Sequence, residues 1–100
     1  METRIQTIHF DADVKLIEFA KKKIGKLETF HDRIVDVDVY LKFTAASSAI
    51  KEKAVEIKVN VPGKSLFAEE RATTFEEAID VAVETMKRQL KRTKEKEKAV

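Results

Sequence analysis

Three observations predict an α+β fold with six elements in the order β-α-β-β-β-α. Two long stretches carry apolar residues at helical spacing, and the other apolar stretches are short and either β-branched or alternating with polar residues. The length of 100 residues suits one hydrophobic core and is too short for two. We therefore expect a single domain over residues 1–100, in which a four-stranded sheet carries two helices packed on one face.

The first element is predicted to be a strand. Residues 4–10 (RIQTIHF) form a short segment that is rich in β-branched and aromatic side chains. The next three residues, Asp11-Ala12-Asp13, offer a chain break and a carboxylate that can cap a helix. A helix should therefore begin close to residue 14.

The second element is predicted to be a helix from Val14 to about Phe30, because apolar residues recur there at the spacing of one helix face. Projection at about 100° per residue puts lysines on the opposite face. These are Lys15, Lys22 and Lys26, with Lys23 on the flank between. The outer face of this helix should be basic.

Three strands are predicted to follow. Residues 34–43 alternate between apolar and polar side chains, as a strand with one buried face requires, and 55–61 repeat the pattern as its hairpin partner. The connection 44–49 is rich in Ala and Ser. Pro62-Gly63 predicts a type II turn, since proline presets φ and glycine accepts positive φ, and a fourth strand returns over about 65–72. The apolar set of the first run is Val35, Val37, Val39, Leu41 and Phe43.

The last element is predicted to be a long helix. Thr74 with Glu77 fits a capping box, and so does Thr73 with Glu76, which leaves the start open by one residue. Its apolar stripe consists of Phe75, Ile79, Ala82, Val83, Met86 and Leu90. Because the stripe stops at Leu90 while helix-forming residues continue, we expect the final turns to project beyond the core.

Positive charge is concentrated at the end of this helix. The chain has a net charge of +2, but residues 87–98 alone carry +5, so the remainder is mildly acidic. This basic extension, over about 87–100, favours a polyanionic partner, although a solvated helix end that complements the helix dipole is the commoner alternative. If the two helices lie side by side, Lys15, Lys22 and Lys26 would adjoin it and form one surface.

The sequence contains no recognisable catalytic or metal site. There is no cysteine, and His9 and His31 are too few to complete a metal-ligand set, so His31-Asp32 is interpreted as an ordinary loop pair. Ser47 and Ser48 lack the Gly-x-Ser-x-Gly context of a nucleophile. We expect no enzyme activity, no cofactor, no metal and no small-molecule substrate.

Membrane association is not predicted either. The N-terminus lacks a signal-peptide pattern, and no run approaches the roughly 20 apolar residues that span a bilayer. Residues 91–98 contain no apolar side chain, which disfavours an amphipathic membrane anchor. We expect a cytoplasmic protein.

The six phenylalanines are interpreted as core residues, since they lack the interleaved aromatic and basic pattern of a base-stacking sheet. They are Phe10, Phe19, Phe30, Phe43, Phe67 and Phe75. An RNA partner would therefore be bound mainly through its phosphates.

Three stretches of the chain resemble the family of ribosome hibernation promoting factors and ribosome-associated inhibitors, also called sigma-54 modulation proteins. They are 19–30 (FAKKKIGKLETF), 37–42 (VDVYLK) and 78–91, the last containing Ala78-Ile79-Asp80 and Arg88-Gln89-Leu90-Lys91. The resemblance covers nearly the whole chain in the same element order.

The resemblance implies a fold similar to double-stranded RNA-binding domains and a partner, the small ribosomal subunit of bacteria or plastids, bound through rRNA. It implies occlusion of the mRNA and tRNA channel, inhibition of translation under stress, and a second hibernation factor as an optional partner. The chain resembles the short type, without a separate dimerisation domain. The implied rRNA-contacting residues are Lys22, Lys23, Lys26, Lys87, Arg88, Lys91, Arg92 and Lys94. Glu76 departs from the family, where Tyr is frequent.

Two alternative functions remain open on the sequence. A generic structured-RNA-binding module would bind duplex RNA and ribosomal subunits with comparable affinity. A protein-interaction domain that uses its exposed sheet face or sheet edge would bind with much weaker dependence on salt.

Overall fold

A four-stranded sheet and two helices form the two layers of the structure, a computed structural model that describes residues 1–44 and 52–98. The elements are β1 (Glu2–Thr7), α1 (Val14–Gly25), a 3-10 turn (Lys26–Thr29), β2 (Asp36–Phe43), β3 (Lys53–Val61), β4 (Lys64–Ala72) and α2 (Phe75–Lys98). The predicted order β-α-β-β-β-α is confirmed. Apart from Thr44, the predicted connection 44–49 lies outside the described residues, as do 99 and 100 of the predicted basic extension.

The strands lie in the order in which they occur in the chain. β1 pairs in parallel with β2, whereas β2–β3 and β3–β4 are antiparallel pairs. Between the paired residues Val61 and Lys64, Pro62 and Gly63 make the turn, and Gly63 has φ 77°. Proline cannot adopt positive φ, so a positive φ at the second central residue alone indicates the predicted type II turn.

The alternation in β2 is confirmed at its centre and is wrong at its ends. Val37, Val39 and Leu41 are fully buried. Val35 is 57% exposed and Phe43 is 42% exposed, because the helices cover only the middle of the strand. Phe43 still packs at the rim, with its ring 5.4 Å from that of Phe75.

Both early elements are shorter than predicted. β1 covers Glu2–Thr7 and does not reach Phe10, since His9 adopts a left-handed φ of 62° that ends the strand. α1 ends at Gly25, not near Phe30, and continues as the 3-10 turn. Lys26 therefore belongs to that turn.

The helix starts are fixed by side-chain caps. The Asp13 carboxylate accepts a hydrogen bond from the Lys15 amide at 3.1 Å. At α2, the Thr74 hydroxyl oxygen accepts from the Glu77 amide at 3.1 Å. The open choice between two capping registers is thus decided in favour of Thr74.

Both helices pack on one face of the sheet, as predicted. α2 contacts β3 and β4, and α1 contacts β1 and α2. Contacts between the α1 region and α2 advance along both segments together, from the start of one with the start of the other to the end of one with the end of the other. The two helices therefore run in the same direction. They join Phe10 to Phe75, Lys23 to Asp80, Phe30 to Lys87, and His31 to Glu97. The end of α1 therefore lies beside the basic part of α2.

The predicted apolar stripe of α2 is buried throughout. Thr93 is also buried, and residues 95–97 are exposed, so α2 leaves the core about one turn after the end of the apolar stripe. Glu97, a turn further on, contacts the buried His31. The basic half of α2 is therefore anchored to the domain on one side.

Candidate nucleic-acid interface

The eight residues predicted to contact rRNA lie on α1, the 3-10 turn and α2. Five are exposed, namely Lys22, Lys26, Arg88, Lys91 and Arg92, and three are half-buried, namely Lys23, Lys87 and Lys94. Contact of any of them with RNA stays a prediction, but their surroundings differ and divide them into groups.

Phe30 joins the end of the 3-10 turn to α2. The Nζ atoms of Lys87 and Lys91 lie 4.9 and 5.3 Å from the centre of its ring. Each such cation–π contact is worth about 0.5–1 kcal/mol near a surface, so the ring restrains two long side chains without neutralising their charge. Phe30 is half-buried against the core. The sequence predicts only a core role for Phe30. The i, i+4 spacing of Lys87 and Lys91 nevertheless places both lysines on one flank of α2.

Lys23 serves the contact between the helices. Its Nζ lies 3.2 Å from the Asp80 carboxylate and 5.4 Å from the centre of the Phe19 ring. The charge of Lys23 is therefore partly compensated within the protein. Lys22 and Lys26 are exposed, and neither forms a salt bridge with another described residue.

The expected contribution of Lys15 to the basic surface is wrong. Because the two helices run in the same direction, the start of α1 lies beside the start of α2. Lys15 and Glu76 line a common cavity there. The acidic first turn of α2 therefore separates Lys15 from the basic end, whereas Lys22 lies at the opposite end of α1 and Lys26 in the 3-10 turn that follows it.

The cations of α2 fall on two flanks of the helix. The Phe30 flank consists of Lys87, Lys91 and Lys94, and the β4 flank consists of Arg88, Arg92 and Lys96. A cavity of about 270 Å³ borders the first, and one of about 470 Å³ borders the second. The cations of α2 therefore do not form one surface, and the Phe30 flank is the one that lies beside the end of the 3-10 turn.

Negative charge compensates the two flanks only in part, since Glu95 lines the cavity beside the Phe30 flank and no Asp or Glu lines the one beside the β4 flank. Lys87 Nζ lies 3.9 Å from Glu84, and Arg88 donates a long hydrogen bond of 3.5 Å to the Thr85 hydroxyl. Lys91, Arg92 and Lys94 form no salt bridge with any described residue. A positive potential therefore remains along this half of α2.

His31 anchors the end of α2, a role that the sequence did not indicate. Its side chain is only 1% exposed. Nδ1 accepts a hydrogen bond from the Arg33 amide at 3.0 Å, so the proton is on Nε2, which faces the Glu97 carboxylate at 3.3 Å. Within residues 1–44 and 52–98, no group of three His, Asp or Glu side chains could hold a metal ion.

The helix-free face of the sheet has a different charge pattern. Arg4 donates to the carboxylates of Asp36 and Asp38, which raises the pKa of Arg4. A hydrogen bond from the Asn60 amide and a second from Arg4 hold the pKa of Asp36 below its usual range. Arg4 is therefore engaged with carboxylates, unlike Lys91 and Arg92 of α2.

The prediction that Phe67 is a core residue is wrong. Leu66 and Ala68 point toward the helices and are buried, so the residue between them points to the opposite face. Phe67 is 55% exposed there, directly across from Lys58 of β3.

In the part of the chain that the structure describes, no helix is both long enough and apolar enough to cross a membrane.

Comparisons with known proteins give a consistent result. Residues 3–98 match the family described as Sigma 54 modulation protein / S30EA ribosomal protein. A ribosome hibernation promotion factor from Deinococcus radiodurans is 32% identical over 77 residues, which are 77% of this chain and 40% of that protein. A ribosome hibernation promoting factor from Pseudomonas putida is 26% identical over 100 residues, covering 100% of this chain and 93% of that protein. This chain thus spans under half of the first relative and nearly all of the second.

Two solved structures have the same fold. A ribosomal subunit interface protein from Coxiella burnetii superposes with a TM-score of 0.81 at 19% identity, covering 94% of this chain and 98% of its own. The N-terminal domain of Thermus thermophilus Protein Y gives a TM-score of 0.73 at 22% identity, with coverages of 93% and 99%. With the family match over residues 3–98, the chain belongs to the Sigma 54 modulation protein / S30EA ribosomal protein family, as its residues predict.

Proposed function

We propose that this protein binds the small ribosomal subunit through rRNA phosphates, occupies the channel used by mRNA and tRNA, and so keeps idle ribosomes inactive. Its relatives are ribosome hibernation factors, which supports the ribosome as the target. The observation that carries the proposal is the placement of Lys87 and Lys91 around Phe30, beside the end of α1.

The arrangement suits a folded RNA. Lysine side chains that already contact the Phe30 ring lose less conformational freedom on binding than lysines on a mobile tail. Phosphates are the natural partners of such a surface, and they carry no base identity, so recognition would depend on the shape of the RNA. Occlusion of a channel requires binding alone and no catalytic group.

Binding of this kind has a measurable dependence on salt. A protein that neutralises about six phosphates releases their counterions, which gives a slope near −5 in a plot of log affinity against log salt. The slope therefore counts ionic contacts, and the loss of one contact lowers its magnitude by about one.

The test is co-sedimentation with purified small subunits across a salt series. The variant with Lys87, Arg88, Lys91 and Arg92 changed to Glu should fold, as judged by circular dichroism, and should no longer sediment with subunits. Lys91→Gln should weaken binding and lower the slope by about one. Lys58→Gln is the matched control, since Lys58 is an equally exposed lysine on the helix-free face. Undiminished sedimentation of the quadruple variant would contradict the proposal.

The alternatives give different outcomes in the same assay. Equal affinity for a generic RNA duplex and for subunits would indicate a general RNA-binding module. Binding that is insensitive to salt would indicate protein recognition through the sheet. One observation argues against recognition of a protein strand at the edge of β4. The Phe67 carbonyl on that edge already accepts a hydrogen bond from Gln89 Nε2 at 2.8 Å, so it is not free to pair with another strand.

A further inference from the structure

A cleft of about 470 Å³ separates the β4 flank of α2 from the start of β4. Leu66 and Thr93 are buried at its floor. Four cations line it, and none of its eight lining residues is Asp or Glu. Buried side chains therefore form the floor of the cleft, and all of its charged lining residues are positive. The cations are Lys64, Arg88, Arg92 and Lys96.

The four cations come from two elements that meet only in the folded protein. Lys64 directly follows the β3–β4 turn and alternates in phase with the buried Leu66, so its side chain lies on the helix side of the sheet. Three cations of α2 recur at every fourth residue, and this row spans about 12 Å at a rise of about 1.5 Å per residue. A row of this length matches a chain of phosphates better than one anion.

No internal partner accounts for this charge. Among the described residues, none of the four cations forms a salt bridge. The carboxylate near the end of the cleft, that of Glu70, accepts a hydrogen bond from the Thr85 hydroxyl at 3.2 Å. Glu95 lines the cavity on the other side of α2.

The helix dipole does not account for the arrangement either. Its effect falls off within the last turn, whereas Arg88 and Arg92 precede that turn and Lys64 is not in the helix. Like charges four residues apart on a helix repel each other, so the row disfavours the folded state until an anion compensates it.

We propose that this cleft binds the phosphate backbone of a second RNA segment, distinct from the one that faces the Phe30 flank. The proposal rests on the proposed function and adds to it that α2 lies between two RNA backbones. Lys64 and Lys96 are then further RNA-binding residues. The Gln89 side-chain amide donates to the Phe67 carbonyl and is therefore not free to read a base edge. Recognition in the cleft is thus mainly ionic and independent of base sequence.

The test compares Lys64→Gln/Lys96→Gln with Lys91→Gln and with the control Lys58→Gln in the salt-series sedimentation assay. All four lysines are exposed, so the substitutions should leave the melting temperature unchanged. The double variant should lower the magnitude of the slope by about two and Lys91→Gln by about one, with no change for Lys58→Gln.

The failure of this inference is distinguishable from that of the proposed function. If Lys91→Gln weakens subunit binding and the double variant does not, the cleft is not an RNA site although the function stands. If the unchanged protein does not sediment with subunits, the function fails, and a short RNA duplex at low salt becomes the probe of the cleft. Loss of duplex binding by the double variant would support the cleft, and retention would overturn it. Displacement of the RNA by inorganic phosphate beyond the effect of chloride at equal ionic strength would indicate a single-anion site and also overturn it.

Discussion

We expect His31 to stabilise the fold through its buried ring and through the hydrogen bond that its Nδ1 accepts from the Arg33 amide. No sequence pattern indicates this contribution. In His31→Ala, the partly buried hydrogen bond from the Arg33 amide is lost, which costs about 0.5–1.5 kcal/mol. The lost packing of a ring that is 1% exposed adds about 2 kcal/mol. We expect a total near 3 kcal/mol, which lowers the melting temperature of a domain of this size by about 10–20 °C.

Two further variants separate the causes. His31→Asn keeps an oxygen that can accept from the amide two residues later, as in an Asx turn, and should recover part of the loss. Glu97→Gln removes only the charge of the carboxylate that faces His31 Nε2, and because the Glu97 side chain is 46% exposed the change should cost about 0–1 kcal/mol. Urea unfolding with unchanged m-values is the assay.

The outcome that refutes this reasoning is a ranking in which His31→Ala costs no more than Glu97→Gln. An Asn substitution as damaging as Ala would also refute it, because the loss would then come from the ring and not from the acceptor for Arg33. Amide exchange in the last turn of α2 would report whether His31 also holds that turn in place.

Two other predictions concern stability. Thr74→Ala should cost about 1 kcal/mol in thermal or urea unfolding, because the hydroxyl caps α2, whereas Thr73→Ala should cost little; equal costs would contradict the assigned cap. The lowered pKa of Asp36 means that its stabilisation is present above the ordinary Asp pKa of about 4 and is lost as pH falls through its lower folded-state value. Asn60→Ala should therefore be less stable than the unchanged protein near neutral pH, with a difference in urea unfolding that shrinks below about pH 4, and a constant difference would argue against this linkage.

The burial of α2 follows directly from its sequence. Its apolar residues repeat at the helical period from Phe75 to Leu90, and every residue of that stripe is buried. Such a pattern is a local property of the chain, since each turn must place its apolar side on the same neighbour. The strand centres of β2 and β3 are predictable for the same reason, with a period of two.

Phe67 shows where a local pattern becomes ambiguous. Three apolar residues, Leu66, Phe67 and Ala68, follow one another in β4, so alternation alone does not decide which of them faces the core. The pairing of β4 with β3 decides it, because register fixes the phase of the whole strand. Phe67 consequently lies on the open face.

The candidate site required the same kind of long-range information. The basic end of α2 is visible as a charge count, but its division into two flanks depends on what lies beside the helix. Phe30 lies on one side and Lys64 on the other, 34 positions apart in the chain. The misplacement of Lys15 has the same origin, since the relative direction of two helices is not encoded in the period of either.

The sequence by itself determined the order and type of the elements, the buried stripe of α2 and the concentration of cations near the C-terminus, because each depends on spacing between near neighbours in the chain. Only the tertiary structure decided which cations meet, that Lys23 is compensated by Asp80, and that His31 is buried beneath the end of α2. The physical reason is that strand order and helix direction are set by packing of the whole core, which brings together residues whose spacing in the chain carries no signal.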